Sequence, residues 1–240
     1  MANRSYQRTA SQVRPIKMTP KFTNAPMGSV LVEFGETRVL CTASVEETIP
    51  GWMRAQRERG QGWLTAEYSL LPGSTAERTR RERNNPSGRT QEIQRFIGRS
   101  LRSVIDLKCI GERTITIDCD VIQADGGTRT ASVTGGFVAL KLAIDKLIKS
   151  GKIKTNPIRE NVAAVSVGIV DGQVLVDLDY SEDVRCDVDM NVVMHTNGTL
   201  VEIQGTAEKA SYTRQQLNQM LDAAQATLTD IFAEQNSACE

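Results

Sequence analysis

Apolar residues recur along the chain at two spacings, which predict strands in some segments and helices in others. Three pairs of β-rich runs flank Gly-containing turns, which predicts hairpins at 29–34 with 37–42, 165–170 with 173–178, and 192–195 with 199–204. Another run, over 113–122, alternates Ile115, Ile117, Cys119 and Val121 with polar residues and predicts a half-buried strand.

Apolar residues spaced three and four apart predict three helices, over about 90–107, 130–149 and 213–232. Hairpins followed by helices favour an α+β fold with the helices packed on sheets. The order of elements is similar in the two halves of the chain, which meet near 150–157. The stretches 48–62 and 73–88 lack a clean period and are predicted as loops.

Composition narrows the class of protein. Hydrophobic residues make up 40% of the chain, enough for a sizeable core, and the apolar runs are far shorter than a membrane span. The N-terminal sequence has no apolar stretch of the kind found in signal peptides. Five scattered cysteines without CxxC spacing favour reduced thiols in the cytosol over disulfides or a zinc site.

A net charge of zero conceals an uneven distribution. Between Arg54 and Arg102 there are eleven arginines, five glutamates and no lysine, whereas seven acidic residues and one arginine lie between Asp171 and Asp189. This distribution indicates a polyanion bound by one region and a cation bound by the other. The alternative is that both regions are simply solvated surfaces.

Two predicted helix starts combine glycine, arginine and threonine, in the segments 87–92 and 125–130. Free N–H groups and the positive end of the helix dipole favour an anion at such a start, and arginine matches phosphate with two donors. Neither segment is a Walker A loop. The alternative interpretation is an ordinary turn in which Ser87, Thr90 or another threonine caps the helix.

Six acidic residues cluster near the third hairpin: Asp177, Asp179, Glu182, Asp183, Asp187 and Asp189. Such carboxylates could hold Mg²⁺ or protonate a leaving group, or they could belong to an acidic turn. Nucleophiles are scarce, since His195 is the single histidine and no nucleophile elbow is present. If the reaction is phosphoryl transfer, the nucleophile is therefore expected to be a substrate, and inorganic phosphate would explain the anion sites.

The segments 87–102, 119–132, 177–183 and 187–191 resemble the signature motifs of the bacterial ribonuclease PH family. Arg4, Arg14-Pro15 and the stretch 28–35 fit the family too, so the resemblance spans nearly the whole chain. It implies a ribonuclease PH-type α+β fold with duplicated βαβα units and helices packed on mixed sheets. Residues 1–240 would form a single domain of two pseudo-repeats.

The resemblance further implies a phosphorolytic 3′→5′ exoribonuclease that removes nucleotides following the CCA end of tRNA precursors. The products would be nucleoside diphosphates, and the reverse reaction would add nucleotides. The enzyme would be a cytoplasmic homohexamer, a trimer of dimers, with inorganic phosphate as co-substrate and Mg²⁺ as cofactor.

Transferred residue by residue, the family motifs assign roles to twelve residues. The phosphate-binding residues would be Arg89, Gly127, Thr128 and Arg129. The catalytic and Mg²⁺-binding residues would be Asp183 and Asp189. The RNA-binding residues would be Arg57, Arg59, Arg78, Arg80, Arg81 and Arg83.

Two other functions compete with this interpretation. A non-catalytic RNA-binding subunit of a larger ring would not need both phosphate motifs and the aspartate pair, which this chain has. A metal-dependent hydrolytic nuclease would leave the anion sites unexplained, because water needs no such site.

Overall fold

Two β-sheets, with helices between and around them, make up the computed structural model, which describes residues 4–55, 60–83 and 85–240. The strands of the first sheet are β1 (Ile16–Pro20), β2 (Gly28–Phe34), β3 (Thr37–Glu46), β4 (Trp63–Leu70) and β5 (Thr114–Gln123). Those of the second are β6 (Val162–Val170), β7 (Gln173–Val176), β8 (Val188–His195) and β9 (Leu200–Ala207).

The helices lie between these strands and after the last of them. They are α1 (Gly51–Ala55), α2 (Gly88–Arg102), α3 (Thr128–Lys149), α4 (Tyr180–Asp183) and α5 (Arg214–Cys239). Among the described residues, no helix has both the length and the apolar character that crossing a membrane would require.

The first sheet is mixed and the second is antiparallel. The strand order of the first is β1-β2-β3-β5-β4, in which β4 and β5 are parallel and α2 forms the crossover between them. The second has the order β7-β6-β8-β9. These sheets and helices confirm the predicted α+β class.

Helix α3 lies between the sheets and is buried on most of its surface, because it packs against β2 and β3 on one side and β6 on the other. Its glycines allow close approach to the first sheet: a Cβ on Gly135 would lie 2.6 Å from Cγ1 of Val32. A single apolar core therefore runs from one sheet through α3 to the other. The helix start at Thr128 is held at the junction between the two sheets.

The predicted helix over 90–107 was wrong at its C-terminal end, since α2 stops at Arg102. Beyond it, Ile105 forms a β-bridge with Ile158, and the N–H of Arg159 donates to the carbonyl of Val104. These contacts with the second half require an extended backbone. The predicted helix over 213–232 in turn continues to Cys239, partly because buried Gln235 donates to carbonyls of the core.

Candidate active site

A cleft of about 840 Å³ opens where the start of α3 faces α4 and β8. It is lined from both halves of the chain, and it includes all six residues predicted to bind phosphate or to act in catalysis. These residues are Arg89, Gly127, Thr128, Arg129, Asp183 and Asp189.

Residues 125–127, called here the phosphate loop because phosphate is expected to bind there, lead into α3 without a side-chain cap. Gly127 is the N-cap residue, with φ 65°, and it has no side chain that could accept from the first helical N–H groups. Gly126 also has a positive φ of 74°, and a Cβ there would lie 2.5 Å from the carbonyl oxygen of Leu178. Only glycine fits this backbone and this close approach to the second half.

The threonines of this segment do not cap α3, so the capping interpretation is wrong here. Thr130 donates its hydroxyl to the carbonyl of Gly127 at 2.8 Å, and Thr128 shares a 2.8 Å hydrogen bond with the hydroxyl of Tyr68. The helix start consequently keeps N–H donors for an anion in the cleft. At α2 the capping interpretation is confirmed, because Ser87 accepts from the N–H of Thr90 at 3.2 Å.

Arg129 is held in place by residues from both halves. Its guanidinium forms a 3.1 Å ion pair with Glu92 of α2 and donates to Gln204 of β9 at 2.9 Å. The same group lies 6.0 Å from the ring centroid of Phe96. Arg89, one residue into α2, is exposed and lies on the cleft wall. The two guanidiniums thus provide positive charge next to an uncapped helix start.

The acidic cluster divides into structural and cleft-facing members. Asp177, Asp179 and Glu182 are each less than 5% exposed and form ion pairs with arginines of the N-terminal segment. In addition, Asp179 and Glu182 form the capping box of α4. These three carboxylates therefore serve in ion pairs and helix capping, and the members of the cluster that remain for chemistry are those that face the cleft.

Asp183 and Asp189 face the cleft from α4 and β8. The pKa of Asp189 is raised to about 6, first by burial and then by the nearby charges of Asp183 and Glu208. Arg129 and Arg89 oppose this shift. The pKa of Asp183 is also raised, mainly by burial, and the same arginines oppose it. Asp187, the remaining member of the acidic cluster, precedes β8 and is not part of the cleft wall.

The two aspartates of the cleft are carboxylates of the kind that a magnesium ion uses. Within the described part of the chain, no group of three or more His, Cys, Asp or Glu residues is placed to hold a metal. Mg²⁺ typically uses one or two carboxylates and completes its shell with water and phosphate oxygens. Asp183 and Asp189 are suited to supply those carboxylates.

Two tyrosines of the cleft were not predicted. Tyr68 lies in β4, whose buried Leu64, Ala66 and Tyr68 alternate with more exposed residues. This alternation was the signal for the missed strand. Tyr180, 64% exposed, begins α4 beside the cleft, and its N–H donates to Asp125 at 3.3 Å. The spacing of apolar residues does not indicate exposed aromatic side chains, so no pattern in the sequence pointed to Tyr180.

The predicted RNA-binding arginines lie away from the cleft wall, as far as the structure describes them. The four described ones, on the segment between β4 and α2, are exposed: Arg78, Arg80, Arg81 and Arg83. Arg83 borders a smaller pocket of about 410 Å³ together with Asp118 and Asp120. Arg57 and Arg59 lie outside the described residues.

Comparison with known proteins gives consistent matches over nearly the whole chain. Residues 12–144 match domain 1 of the RNase PH 3′ exoribonuclease family, and residues 160–227 match domain 2. A protein named ribonuclease PH from Crocosphaera subtropica is 56% identical over 231 residues, covering 96% of this chain and 95% of the relative. Another of that name, from Neisseria meningitidis, is 54% identical over 233 residues, with the same coverage.

Solved structures with low sequence identity share the fold. Rice (Oryza sativa) Rrp46 superimposes with a TM-score of 0.78 at 16% identity, covering 97% of both chains. A chain of an Archaeoglobus fulgidus exosome with RNA bound to the active site gives a TM-score of 0.76 at 19% identity. That match covers 94% of this chain and 89% of the exosome chain.

Proposed function

The chain belongs to the ribonuclease PH family of 3′ exoribonucleases. From this membership we propose that its cleft binds inorganic phosphate, which acts as the nucleophile that releases terminal nucleotides from RNA. The predicted family is confirmed, and with it the class of enzyme, a phosphate-dependent 3′→5′ exoribonuclease. The observation that supports the site is the meeting of the uncapped start of α3, two arginines and two aspartates in one cleft.

Phosphate is proposed to bind at the phosphate loop. N–H groups of Gly127, Thr128 and the first turn of α3 would donate to its oxygens, and Arg89 and Arg129 would offset its charge. Arg129 is already oriented by Glu92 and Gln204, so little side-chain freedom would be lost on binding. This site would place phosphate beside the aspartate pair.

In the proposed reaction, an oxygen of the bound phosphate attacks the phosphorus of the last phosphodiester in line with the leaving group. The new P–O bond makes a nucleoside diphosphate, while the bond to the 3′ oxygen of the preceding nucleotide breaks. That oxygen takes up a proton and becomes the new 3′ hydroxyl. Arg89 and Arg129 stabilise the negative charge that is spread over the reacting phosphoryl oxygens.

Asp183 and Asp189 are proposed to be the residues that would hold Mg²⁺ in the cleft. When bound, the ion would act as a Lewis acid that stabilises the developing charge on phosphoryl oxygens. Without the ion the pKa of Asp189 is about 6, so this carboxyl would then be able to exchange a proton near neutral pH. The two carboxylates would thus be the catalytic and metal-binding residues.

The natural substrate is proposed to be the 3′ end of tRNA precursors, trimmed of nucleotides that follow the CCA end. The exposed arginines of the segment after β4 (Arg78, Arg80, Arg81 and Arg83) would contact the RNA backbone, together with Arg57 and Arg59. Contacts of this kind are independent of base sequence. The four described arginines lie outside the cleft wall, which suits contacts with RNA upstream of the 3′-terminal nucleotide.

A homohexamer, organised as a trimer of dimers, is the proposed assembly. The fold is shared with subunits of multi-subunit exosome structures, including an archaeal exosome core at a TM-score of 0.75. A cytoplasmic location is proposed as well, and five free cysteines support it.

The proposed function is tested with a tRNA that carries extra 3′ nucleotides, incubated with the protein and Mg²⁺ with and without inorganic phosphate. Nucleoside diphosphates that form only in the presence of phosphate are expected. Monophosphates formed without phosphate would identify a hydrolytic nuclease, and binding without any product would identify a non-catalytic RNA-binding subunit.

Arg89→Ala is expected to raise the KM for phosphate by about 10- to 100-fold, since a hydrogen bond to a charged group contributes about 1.5–3 kcal/mol. The affinity for RNA should change little. Steady-state kinetics at varied phosphate and fixed RNA would measure the effect. Arg95→Ala is the matched control, because Arg95 is exposed on the same helix and is not part of the cleft wall. Equal phosphate KM values in the two variants would contradict the role of Arg89.

The Mg²⁺ concentration for half-maximal activity is expected to rise as pH falls below about 6. The pKa of Asp189 is about 6, so this carboxyl becomes protonated in that range and loses its ability to bind the cation. The measurement is a series of Mg²⁺ titrations between pH 5 and 8. Activity that instead rises as pH falls toward 6 would show that Asp189 acts as the proton donor and not as a ligand.

A further inference from the structure

Arg14 lies behind the phosphate loop and links it to the second half of the chain. Its side chain is completely buried. Nε and Nη2 donate to the two carboxylate oxygens of Asp177 at 2.9 and 2.6 Å, a bidentate pair across the junction between the sheets. The backbone N–H of Arg14 donates to the same carboxylate at 2.7 Å.

The remaining donors of Arg14 reach the phosphate loop itself. Nη1 donates to the carbonyl of Asp125, and Nη2 donates to the carbonyl of Gly126 at 3.4 Å. Thr37, also fully buried, makes a second set of contacts there: its hydroxyl accepts from the N–H of Asp125 at 3.0 Å and donates to the carbonyl of Gly126 at 2.7 Å. We call Arg14 and Thr37 the loop anchor.

These contacts fix the direction of the amide groups in the loop. In a trans peptide, each carbonyl points opposite to the N–H of the following residue. Because the loop anchor holds the carbonyls of Asp125 and Gly126, the N–H groups of Gly126 and Gly127 point away from it. The phosphate loop lines the cleft, whereas the anchor residues do not.

We propose that Arg14 and Thr37 are positioning residues that aim the N–H groups of the phosphate loop at bound phosphate, an inference that rests on the proposed function. Glycines at 126 and 127 have wide conformational freedom and would otherwise lose entropy when phosphate binds. The anchor restricts that freedom before phosphate arrives. Its effect should therefore appear in phosphate binding and much less in RNA binding.

Arg8 provides a matched control for Arg14. It is also buried and also pairs with Asp177, at 3.3 Å, but its other ion pairs are with Asp179 and Glu182. Its side-chain hydrogen bonds go to the N-terminal segment and to this acidic group. A substitution at Arg8 thus disturbs the same aspartate without touching the phosphate loop directly.

The experiment compares Arg14→Lys and Arg8→Lys by their melting temperatures and by KM for phosphate, KM for RNA and kcat. Lysine keeps the charge beside Asp177, but its single ammonium cannot reach the aspartate and both loop carbonyls together. We expect both variants to lose thermal stability and only Arg14→Lys to raise the KM for phosphate, by about tenfold, which corresponds to the loss of one or two hydrogen bonds. KM for RNA should stay within about twofold.

Thr37 tests the same proposal while leaving the ion pair between Arg14 and Asp177 in place, which matters if Arg14→Lys does not fold. Its hydroxyl also accepts from Nη1 of Arg14 at 3.3 Å, so the two anchor residues act together. Thr37→Val removes the hydroxyl and keeps the shape, and we expect it to raise the KM for phosphate by about tenfold. Thr37→Ser keeps the hydroxyl and should restore nearly normal phosphate binding.

The possible results separate this inference from the function on which it rests. An unchanged KM for phosphate in folded Arg14→Lys or in Thr37→Val, with a normal wild type, would overturn the role of the loop anchor alone. Equal increases in Arg14→Lys and Arg8→Lys would overturn it too, since a general loosening would then explain both. A wild-type enzyme whose activity did not depend on phosphate would overturn the proposed function together with the anchor.

Discussion

Replacing Asp189 with asparagine is expected to reduce kcat by about 10²–10⁴-fold, the usual contribution of a positioned acid–base group. Asparagine has nearly the same shape, so the pairing of β8 with β6 and β9 at this position should be kept. Loss of the carboxylate removes the group that is proposed to bind Mg²⁺ or, as the alternative, to donate the proton. Steady-state kinetics at saturating phosphate and RNA would measure the loss.

The same substitution should raise the melting temperature at pH 7 in buffer without Mg²⁺. The pKa of Asp189 is about 6 in the folded protein, chiefly because of burial, compared with about 3.9 in an unfolded chain. A raised pKa means that the folded state disfavours the ionised carboxylate, so the ionised form costs stability above pH 6. The neutral amide avoids this cost.

Asp187→Asn is the control for the loss of activity, because Asp187 is not part of the cleft wall. An equal loss of activity in Asp187→Asn would contradict the role of Asp189.

Asp177→Asn is expected to lower the free energy of unfolding by about 3–5 kcal/mol, the usual cost of removing one partner from a buried ion pair. The carboxylate of Asp177 is the main ion-pair partner of Arg14 and one of the partners of Arg8, and both arginines are buried. Without it, their positive charges would be less well compensated. Asparagine tolerates the positive φ of 52° at this position, so backbone strain would not contribute. Urea unfolding would measure the change.

Asp171→Asn is the matched control for Asp177→Asn. Asp171 has nearly the same φ, 50°, but it lies in the exposed turn between β6 and β7. Its substitution should change the free energy of unfolding by less than about 0.5 kcal/mol.

The effect of Asp177→Asn should depend on pH. Burial raises the pKa of Asp177, but the charges of Arg14 and Arg8 outweigh burial, so the pKa is lowered. The stability difference between wild type and Asp177→Asn should therefore shrink once the pH falls below about 4 and disappear only below the lowered pKa of Asp177. A difference that persists at low pH would point to lost packing instead of lost charge.

Local patterns in the sequence were sufficient to predict most of the secondary structure. The hairpins and the three long helices follow from turn residues and apolar spacing, and each is present in the structure. Strand β4 was missed because it lies between two arginine-rich stretches without periodicity. The end of α2 was misplaced because Ile105 pairs with Ile158, and no local pattern in the sequence indicates such a long-range contact.

Less of the site than of the fold could be predicted from the sequence. The motifs identified Arg89, Arg129, Asp183 and Asp189 as candidate site residues. In the structure all four line one cleft. Spacing could not separate Asp183 from Glu182, its immediate neighbour, since one faces the cleft and the other is buried against Arg4. Nor could it show that Arg14, more than 100 residues from the phosphate loop in sequence, contacts the loop carbonyls.

The central claim is that phosphate bound in the cleft is the nucleophile, and isotopic labelling tests it most directly. RNA would be incubated with the protein, Mg²⁺ and ³²P-labelled inorganic phosphate, and the released nucleotides would be separated and degraded stepwise. Label in the β-phosphate of nucleoside diphosphates is the expected result, because the attacking phosphate becomes that group. Unlabelled nucleoside monophosphates would contradict the claim and would mean that water is the nucleophile.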